Sequence, residues 1–290
     1  MNRNVITLSV LLAGSALLGG CAASAGSPSA TLPTASLSPA ASATLTPAPS
    51  LSPLPTATAT ASPSQNGSET RKPSASTSAT KSVDVPQQVL SMLKKKGAVL
   101  PRTTPLDKGQ KLTASIASND AKGYKVYFYG APKALPIGDP SLSPDGKIPV
   151  AASFTARGKD TKRDKDLFAK IDFSQWPAEQ AVDLGHKIKG YPEGAAGSQY
   201  LSWKEGRWQL QLRSTTEDKI DNAAIARKIV NYLEKNALPA PHDNGKITID
   251  YRPGGKEVKV GVYWQDGDIV YELETGRVPI DALTMAVSVK

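Results

Sequence analysis

Residues 199–213 read QYLSWKEGRWQLQLR, and this stretch decides the fold. Past its centre, apolar and polar residues alternate strictly: Trp208, Gln209, Leu210, Gln211, Leu212 and Arg213. Such alternation is typical of a β-strand with one buried and one exposed side. The Glu205-Gly206 pair supplies a tight turn, because glycine adopts a positive φ without strain. The stretch therefore predicts a half-buried β-hairpin.

A second hairpin of the same pattern lies closer to the C-terminus. Residues 258–264 and 269–273 are predicted strands on either side of a turn at residues 265–268. WKEGRW at 203–208 and WQDGDI at 264–269 share the order Trp, polar, acidic, Gly, charged, apolar. The sequence thus predicts two hairpins built on the same kind of turn.

Each predicted hairpin precedes a helical pattern. The first helix is expected over residues 221–236 and ends before Pro239, and the second begins at Pro279. Two explanations stay open. One is duplication of a ββα unit, over about 184–238 and 246–290; the other is two unrelated hairpins that share a frequent turn.

The rest of the folded region contains further elements. We expect helices over 86–96 and 164–171, and strands over 111–118, 124–129 and 148–156. Together the elements predict an α+β fold: a twisted antiparallel sheet with helices packed on one face, built partly from two ββα units. Residues 82–290 are long enough to form this globular domain around a core of their own.

The N-terminus has the pattern of an export signal. Arg3 precedes an apolar run of about 14 residues, shorter than the roughly 20 that span a bilayer as a helix. Small residues follow the run. We therefore expect residues 1–20 to be removed as a signal peptide.

The segment Leu18-Gly19-Gly20-Cys21 resembles the lipobox of bacterial lipoproteins. This resemblance implies cleavage before Cys21 and transfer of a diacylglyceryl group to its thiol, so the expected partner is a membrane. Cys21 is the single cysteine of the chain, and no disulfide or thiolate metal site is expected. The expected location is the extracellular face of a Gram-positive-type cell membrane.

Residues 21–81 are rich in Ser, Thr, Ala, Pro and Gly, with no helical or strand period. Such a segment buries too little apolar surface to offset the entropy of ordering. We expect a disordered tether that holds the folded region roughly 50–150 Å from the membrane. A reach of that size suits a thick cell wall.

The chain carries a formal net charge of +9, and residues 21–81 contribute little of it. Basic runs occur at Lys94–Lys96 and between Lys159 and Lys165. Two interpretations stay open: attraction to anionic lipids or wall polymers, or a solvated surface, because residues 159–166 mix both signs. No nucleic-acid-binding motif occurs, and no nucleic-acid partner is expected.

Patterns of catalysis and metal binding are weak in this sequence. His186 and His242 are its two histidines, and neither has a second histidine at metal-ligand spacing. No Gly-x-Ser-x-Gly motif marks a nucleophile, although the members of a Ser-His-Asp triad come together only in the fold. We expect no cofactor, no metal and no catalytic residue.

The polar side of the hairpins is the candidate binding surface. Adjacent strand residues such as Tyr263 and Trp264 point to opposite sides, so both cannot lie in the core. The expected ligand-binding residues are Tyr200, Gln209, Gln211, Arg213 and Tyr263. The large aromatic residues have two interpretations: core packing, or a surface on which glycans stack.

The C-terminal part resembles a bacterial domain family of unknown function. The resemblance rests on VYWQDG at 262–267, the strand Tyr271-Glu272-Leu273 and a closing helix. Members occur at the C-terminal ends of exported lipoproteins and of anti-sigma-type membrane proteins. More widely, LGHKIKGY at 184–191 followed by WKEGRW looks like uncharacterised lipoproteins of Gram-positive spore-forming bacteria, over most of 86–290. The resemblance implies an exported location and a fold, and no activity.

These observations predict a membrane-anchored extracellular lipoprotein that carries a non-enzymatic binding module. The expected partner is an anionic wall polymer or another envelope protein. Two alternatives stay open: a sensory or regulatory module of an envelope signalling system, and a carrier of a lipid-like ligand or a hydrolase whose site the sequence hides.

Overall fold

The computed structural model of this protein contains a sheet of ten strands. The model describes residues 84–290. The strands are β1 (Lys111–Asn119), β2 (Tyr124–Ala131), β3 (Val150–Gly158), β4 (Val182–Asp183), β5 (Lys189–Ala195), β6 (Ser198–Glu205), β7 (Trp208–Thr215), β8 (Gly245–Tyr251), β9 (Val258–Asp266) and β10 (Ile269–Thr275). The α-helices are α1 (Val85–Met92), α2 (Thr161–Leu167), α3 (Asn222–Leu233) and α4 (Pro279–Val287). The predicted signal peptide, Cys21 and the tether over 21–81 lie outside the described residues.

The strand order across the sheet is β1-β2-β3-β10-β9-β8-β7-β6-β5-β4. Neighbouring strands pair antiparallel except β7 and β8, which are parallel. The connection between β7 and β8 contains α3, and a parallel pair requires a crossover of this kind. The prediction of a mainly antiparallel sheet with a few helices is confirmed.

The two predicted hairpins are β6–β7 and β9–β10. In both turns the glycine has a left-handed backbone, with φ 56° at Gly206 and φ 58° at Gly267. A residue with a Cβ atom is strained there, which explains why glycine occupies both positions. The first hairpin is followed by α3 and the second by α4.

Alternation along β7 gives the sheet two different faces. Trp208, Leu210 and Leu212 are buried, and their side is termed the apolar face. Gln209, Gln211 and Arg213 point to the opposite side, which is termed the polar face. Neighbouring strands continue both faces, because residues paired in register point to the same side.

The core contains residues from both ends of the described chain. Phe154 of β3, Trp203 of β6, Ile229 of α3 and Leu283 of α4 are at most 1% exposed and belong to one hydrophobic cluster. Helix α3 contacts β6 and β7, α4 contacts β9 and β10, and α1 contacts β1. Residues 84–290 thus share one sheet and one core cluster.

Helix α1 is shorter than the sequence predicts. It ends at Met92 rather than at residue 96, because Asn119 of β1 binds the chain there. The Asn119 amide nitrogen donates to the Met92 carbonyl at 2.8 Å, and its oxygen accepts the N–H of Lys94 at 2.8 Å. Lys94–Lys96 therefore lie beyond the helix.

Helix α2 begins earlier than expected, at Thr161, and ends at Leu167 rather than at residue 171. The side chain of Asp160 accepts the backbone N–H groups of Lys162 and Arg163, and so caps the first turn.

The sequence patterns did not predict β4, β5 and β8. Strand β5 contains Gly190, Pro192 and Gly194, residue types that weaken a strand pattern, and lies near the edge of the sheet. Strand β8 lies in the middle of the sheet. Its residues Ile247 and Ile249 alternate with polar ones, so the signal for β8 was present.

Candidate functional site

The strand register places the candidate residues of the first hairpin side by side on the polar face. Tyr200 of β6 lies opposite Arg213 of β7, and Ser202 lies opposite Gln211. Gln211 donates from Nε2 to Ser202 Oγ at 3.3 Å. These four side chains form a continuous polar patch.

A further row of polar residues joins the two hairpins through β8. Gln209 of β7 lies beside Lys246, which in turn lies beside Tyr263 of β9. The five candidate residues therefore lie on the same face within four adjacent strands: Tyr200, Gln209, Gln211, Arg213 and Tyr263.

Arg213 is held by its neighbours on the polar face. Its Nη1 donates to Asp250 Oδ1 at 2.7 Å, and its Nη2 donates to Ser198 Oγ at 2.9 Å. The hydrogen bond to Asp250 raises the pKa of Arg213 above its ordinary value. The Arg213 side chain is still 33% exposed. Arg213 is therefore a fixed cation that a ligand can reach.

Tyr263 is bound to the sheet through its hydroxyl, which donates to Glu274 Oε1 at 2.8 Å. Its ring covers Gly261, where any Cβ atom would collide with it. Burial raises the pKa of Tyr263, and the charge of Glu274 raises it further. Glu274 also lies 3.2 Å from Lys259 Nζ. Because the hydroxyl is already bound, the ring is the part of Tyr263 that remains for a ligand.

Residues 159–176 cross one end of the polar face. They are termed the wall segment, a name that does not refer to the cell wall. Gln209 binds this segment: its Oε1 accepts the backbone N–H of Ile171 at 2.7 Å. Phe168 of the segment is 8% exposed and Gln209 is 9% exposed. Gln209 therefore positions the wall segment, which is a different role from the direct ligand contact predicted from the sequence.

A buried ion-pair network holds the start of the wall segment. Arg157 of β3 contacts Asp164 and lies 2.7 Å from Glu272 of β10. Arg163 reaches the same Glu272 carboxylate at 2.9 Å. Burial alone would raise the pKa of Asp164, but hydrogen bonds from Arg157 and from the N–H of Asp160 lower it below its usual value. The network joins α2 to two strands of the sheet.

Lys246 is a half-buried cation at the centre of the polar face. Among residues 84–290, no carboxylate lies within ion-pair distance of it. Burial lowers the pKa of Lys246, since removal from water disfavours the charged form. Lys246 was not among the predicted site residues, because β8 was not among the predicted strands.

Two adjoining clefts lie between the wall segment and the strand ends, and together they are termed the basic groove. Their volumes are about 220 and 460 Å³, and Lys170 and Asn244 line both. The cations that line the groove are Lys159, Lys165, Lys170, Lys204 and Arg207. The lining carboxylates are Asp164, which binds Arg157, and Asp243.

Three aromatic residues, termed the aromatic trio, lie next to the groove. Phe173 lines the groove, and its ring centroid lies 5.2 Å from that of Tyr191 and 6.2 Å from that of Trp176. All three side chains are partly exposed. The other tryptophans, Trp203, Trp208 and Trp264, are buried on the apolar face, where core packing explains them.

His186 lies beside the C-terminal end of α3. Its Nε2 is 2.9 Å from Asn231 Oδ1, and its Nδ1 is 3.8 Å from Glu234. Burial raises the pKa of nearby Glu205, whose carboxylate accepts the indole N–H of Trp203 at 3.0 Å. Within residues 84–290, no group of three or more His, Cys, Asp or Glu side chains is placed to hold a metal ion.

Comparison with family models, curated proteins and solved structures gave no match to this chain. The resemblance to exported lipoproteins and to the domain family of unknown function therefore stays a prediction. In the part of the chain that the structure describes, no helix is both long and apolar enough to cross a membrane.

Proposed function

We propose that this chain is a membrane-anchored extracellular lipoprotein, and that residues 84–290 are a non-enzymatic module that binds a ligand or partner in the cell envelope. One observation carries the proposal. A wide sheet uses its apolar face for the core, while its polar face retains partly exposed Tyr200, Gln211 and Arg213 and the unpaired cation Lys246.

The helices support this division of the sheet. The buried side chains of α1, α3 and α4 belong to the same cluster as the apolar-face residues Leu210 and Leu212. We infer that these three helices cover the apolar face, and that β6–β7–α3 and β9–β10–α4 are two copies of a ββα unit. With the helices on that side, the polar face is available to a partner.

The N-terminal part of the proposal concerns location. Lipid on Cys21 would hold the chain at the membrane, and residues 21–81 would act as a spacer between the membrane and the module. A binding module on a long spacer has access to ligands across the thickness of a wall. An anionic wall polymer or an envelope protein is the ligand proposed for it.

The experiment is a sedimentation assay with purified cell-wall sacculi. It uses the mature chain, residues 21–290, with Cys21→Ser to keep the chain soluble. We expect saturable retention on sacculi that survives about 0.15 M salt, where attraction between distant exposed charges is largely screened. Absence of retention at any salt concentration would contradict the proposal.

A pair of variants tests whether the polar face is responsible. Tyr200→Ala combined with Gln211→Ala changes two partly exposed side chains of that face. Lys228→Ala combined with Lys235→Ala is the control, since both lysines are exposed in or just beyond α3. We expect reduced retention for the first pair and unchanged retention for the control.

A further inference from the structure

Residues 159–166, at the start of the wall segment, include charged side chains with a partner in the fold and others without one. Asp160 caps α2, Asp164 binds Arg157, and Arg163 binds Glu272. Lys159, Lys162, Lys165 and Asp166 remain, and none of the four has an ion-pair partner among residues 84–290; Lys159 and Lys165 line the groove. Asp160 and Asp164 therefore serve the fold and Asp166 is exposed, while the lysines that line the groove keep their charge without an ion-pair partner.

The opposite side of the groove adds to this charge. Lys204, at the end of β6, lines the groove and is exposed. Lys170, on the side of the wall segment, also lines the groove and is exposed. Arg207 donates from Nη1 to the carbonyls of Pro241 and His242, both at 3.0 Å, which fixes its guanidinium at the rim. Five cations thus converge on a concave surface that has two carboxylates, one of them already paired.

The aromatic trio distinguishes between kinds of polyanion. A cationic groove alone attracts any chain of negative charges. The partly exposed rings of Phe173, Trp176 and Tyr191 add flat apolar surfaces next to the cations, and sugar rings stack on such surfaces through their C–H faces. Clefts of about 220 and 460 Å³ have room for part of a polymer chain, whereas a bilayer presents a broad surface.

We propose that the basic groove and the aromatic trio bind a phosphate-bearing glycan polymer of the cell envelope. The phosphate groups lie among Lys159, Lys170 and Lys204, and the sugar rings stack on the aromatic trio. This inference rests on the proposed function and gives its ligand a chemical class and a place in the fold.

The first test is a titration of the mature chain, residues 21–290 with Cys21→Ser, with purified glycosylated wall teichoic acid. The groove variant is Lys170→Glu with Lys204→Glu, and the control Lys228→Glu with Lys235→Glu makes the same charge change at α3. We expect on the order of tenfold weaker binding for the groove variant and less than about a twofold change for the control. Equal weakening in both variants would overturn the proposal.

The second test separates sugar recognition from charge. Inorganic polyphosphate provides the charge without sugar, and phosphatidylglycerol vesicles provide phosphate on a lipid surface. We expect Trp176→Ala and Tyr191→Leu to weaken binding of teichoic acid and to leave binding of polyphosphate unchanged. Polyphosphate or vesicles that bind as tightly as teichoic acid would overturn the proposal, as would full binding in both aromatic variants.

Different results would contradict this inference and the proposed function. If the groove variant still sediments with sacculi as the unsubstituted chain does, this inference falls and the proposed function stands. If the unsubstituted chain itself does not sediment, the proposed function falls. Circular dichroism and the melting temperature of each variant establish that the comparison is between folded proteins.

Discussion

At the scale of single residues, Arg157 is the side chain on which the wall segment most depends. It contacts both Asp164 and Glu272, whose side chains are 5% and 10% exposed. Arg157→Ala removes a positive charge that offsets the negative charges of two buried carboxylates. We therefore expect a loss of about 3 kcal/mol in the free energy of unfolding. Urea unfolding measures it.

The matched control for Arg157→Ala is Arg252→Ala. Arg252 also contacts a carboxylate, Asp250, but at 3.5 Å and with a side chain that is 54% exposed. An exposed pair contributes little, and we expect less than about 1 kcal/mol. Similar losses in the two variants would show that the network around Arg157 is not specially stabilising.

The pKa of Asp164 makes a second residue-scale prediction. Its folded-state pKa lies below the unfolded value of about 3.9. A carboxyl of this kind stabilises the fold above its unfolded pKa, and the contribution is lost as pH falls through the folded pKa. We expect Asp164→Asn to be less stable at pH 7 and to lose less stability below about pH 4.

Urea unfolding between about pH 7 and pH 2.5 measures this dependence on pH. Asp166→Asn is the control, because Asp166 is an exposed carboxylate of the same helix. If Asp164→Asn retains the full acid dependence of the unsubstituted chain, the stabilisation assigned to Asp164 is wrong.

At the scale of elements, the wall segment is a separate unit that Gln209 holds on the polar face. Gln209→Ala removes the acceptor of the Ile171 N–H. One hydrogen bond contributes about 1 kcal/mol, so we expect amide exchange around residues 168–173 to rise about fivefold while the strands stay protected. Hydrogen-exchange mass spectrometry measures both.

Gln211→Ala provides the comparison within the same strand and face. Gln211 donates to Ser202 at 3.3 Å, and among residues 84–290 its side chain makes no hydrogen bond with the wall segment. Exchange in the wall segment is expected to stay unchanged in this variant. Equal acceleration by both substitutions would mean that Gln209 does not hold the segment.

Much of the sheet could be predicted from the sequence, because its information is local. An acidic-Gly turn between two strand-type runs identifies both hairpins, and alternation along β7 places Gln211 and Arg213 on the polar face. The basic groove could not be predicted, since it forms when the wall segment folds across β7. The contacts that build it, such as Gln209 with Ile171, join residues far apart in sequence. The function of Gln209 was missed for the same reason.

At the scale of the whole molecule, the net positive charge belongs mostly to residues 84–290. The first 83 residues hold four of the 35 basic residues and one of the 26 acidic ones. The proposed lipid anchor on Cys21 would keep that charge close to anionic envelope polymers. We expect Cys21→Ala to remove the lipid attachment site and to release the protein into the medium, as measured by fractionation of cells.

The most direct test of a binding role for the polar face is a lysine-acetylation footprint. The mature chain, residues 21–290 with Cys21→Ser, is acetylated with and without purified sacculi, and the modified lysines are quantified by mass spectrometry. We expect protection of Lys204 and Lys246, which lie in register with Gln209 on the polar face, and unchanged modification of Lys228 and Lys235. Protection at Lys228 and Lys235, or at no lysine at all, would contradict a ligand-binding polar face.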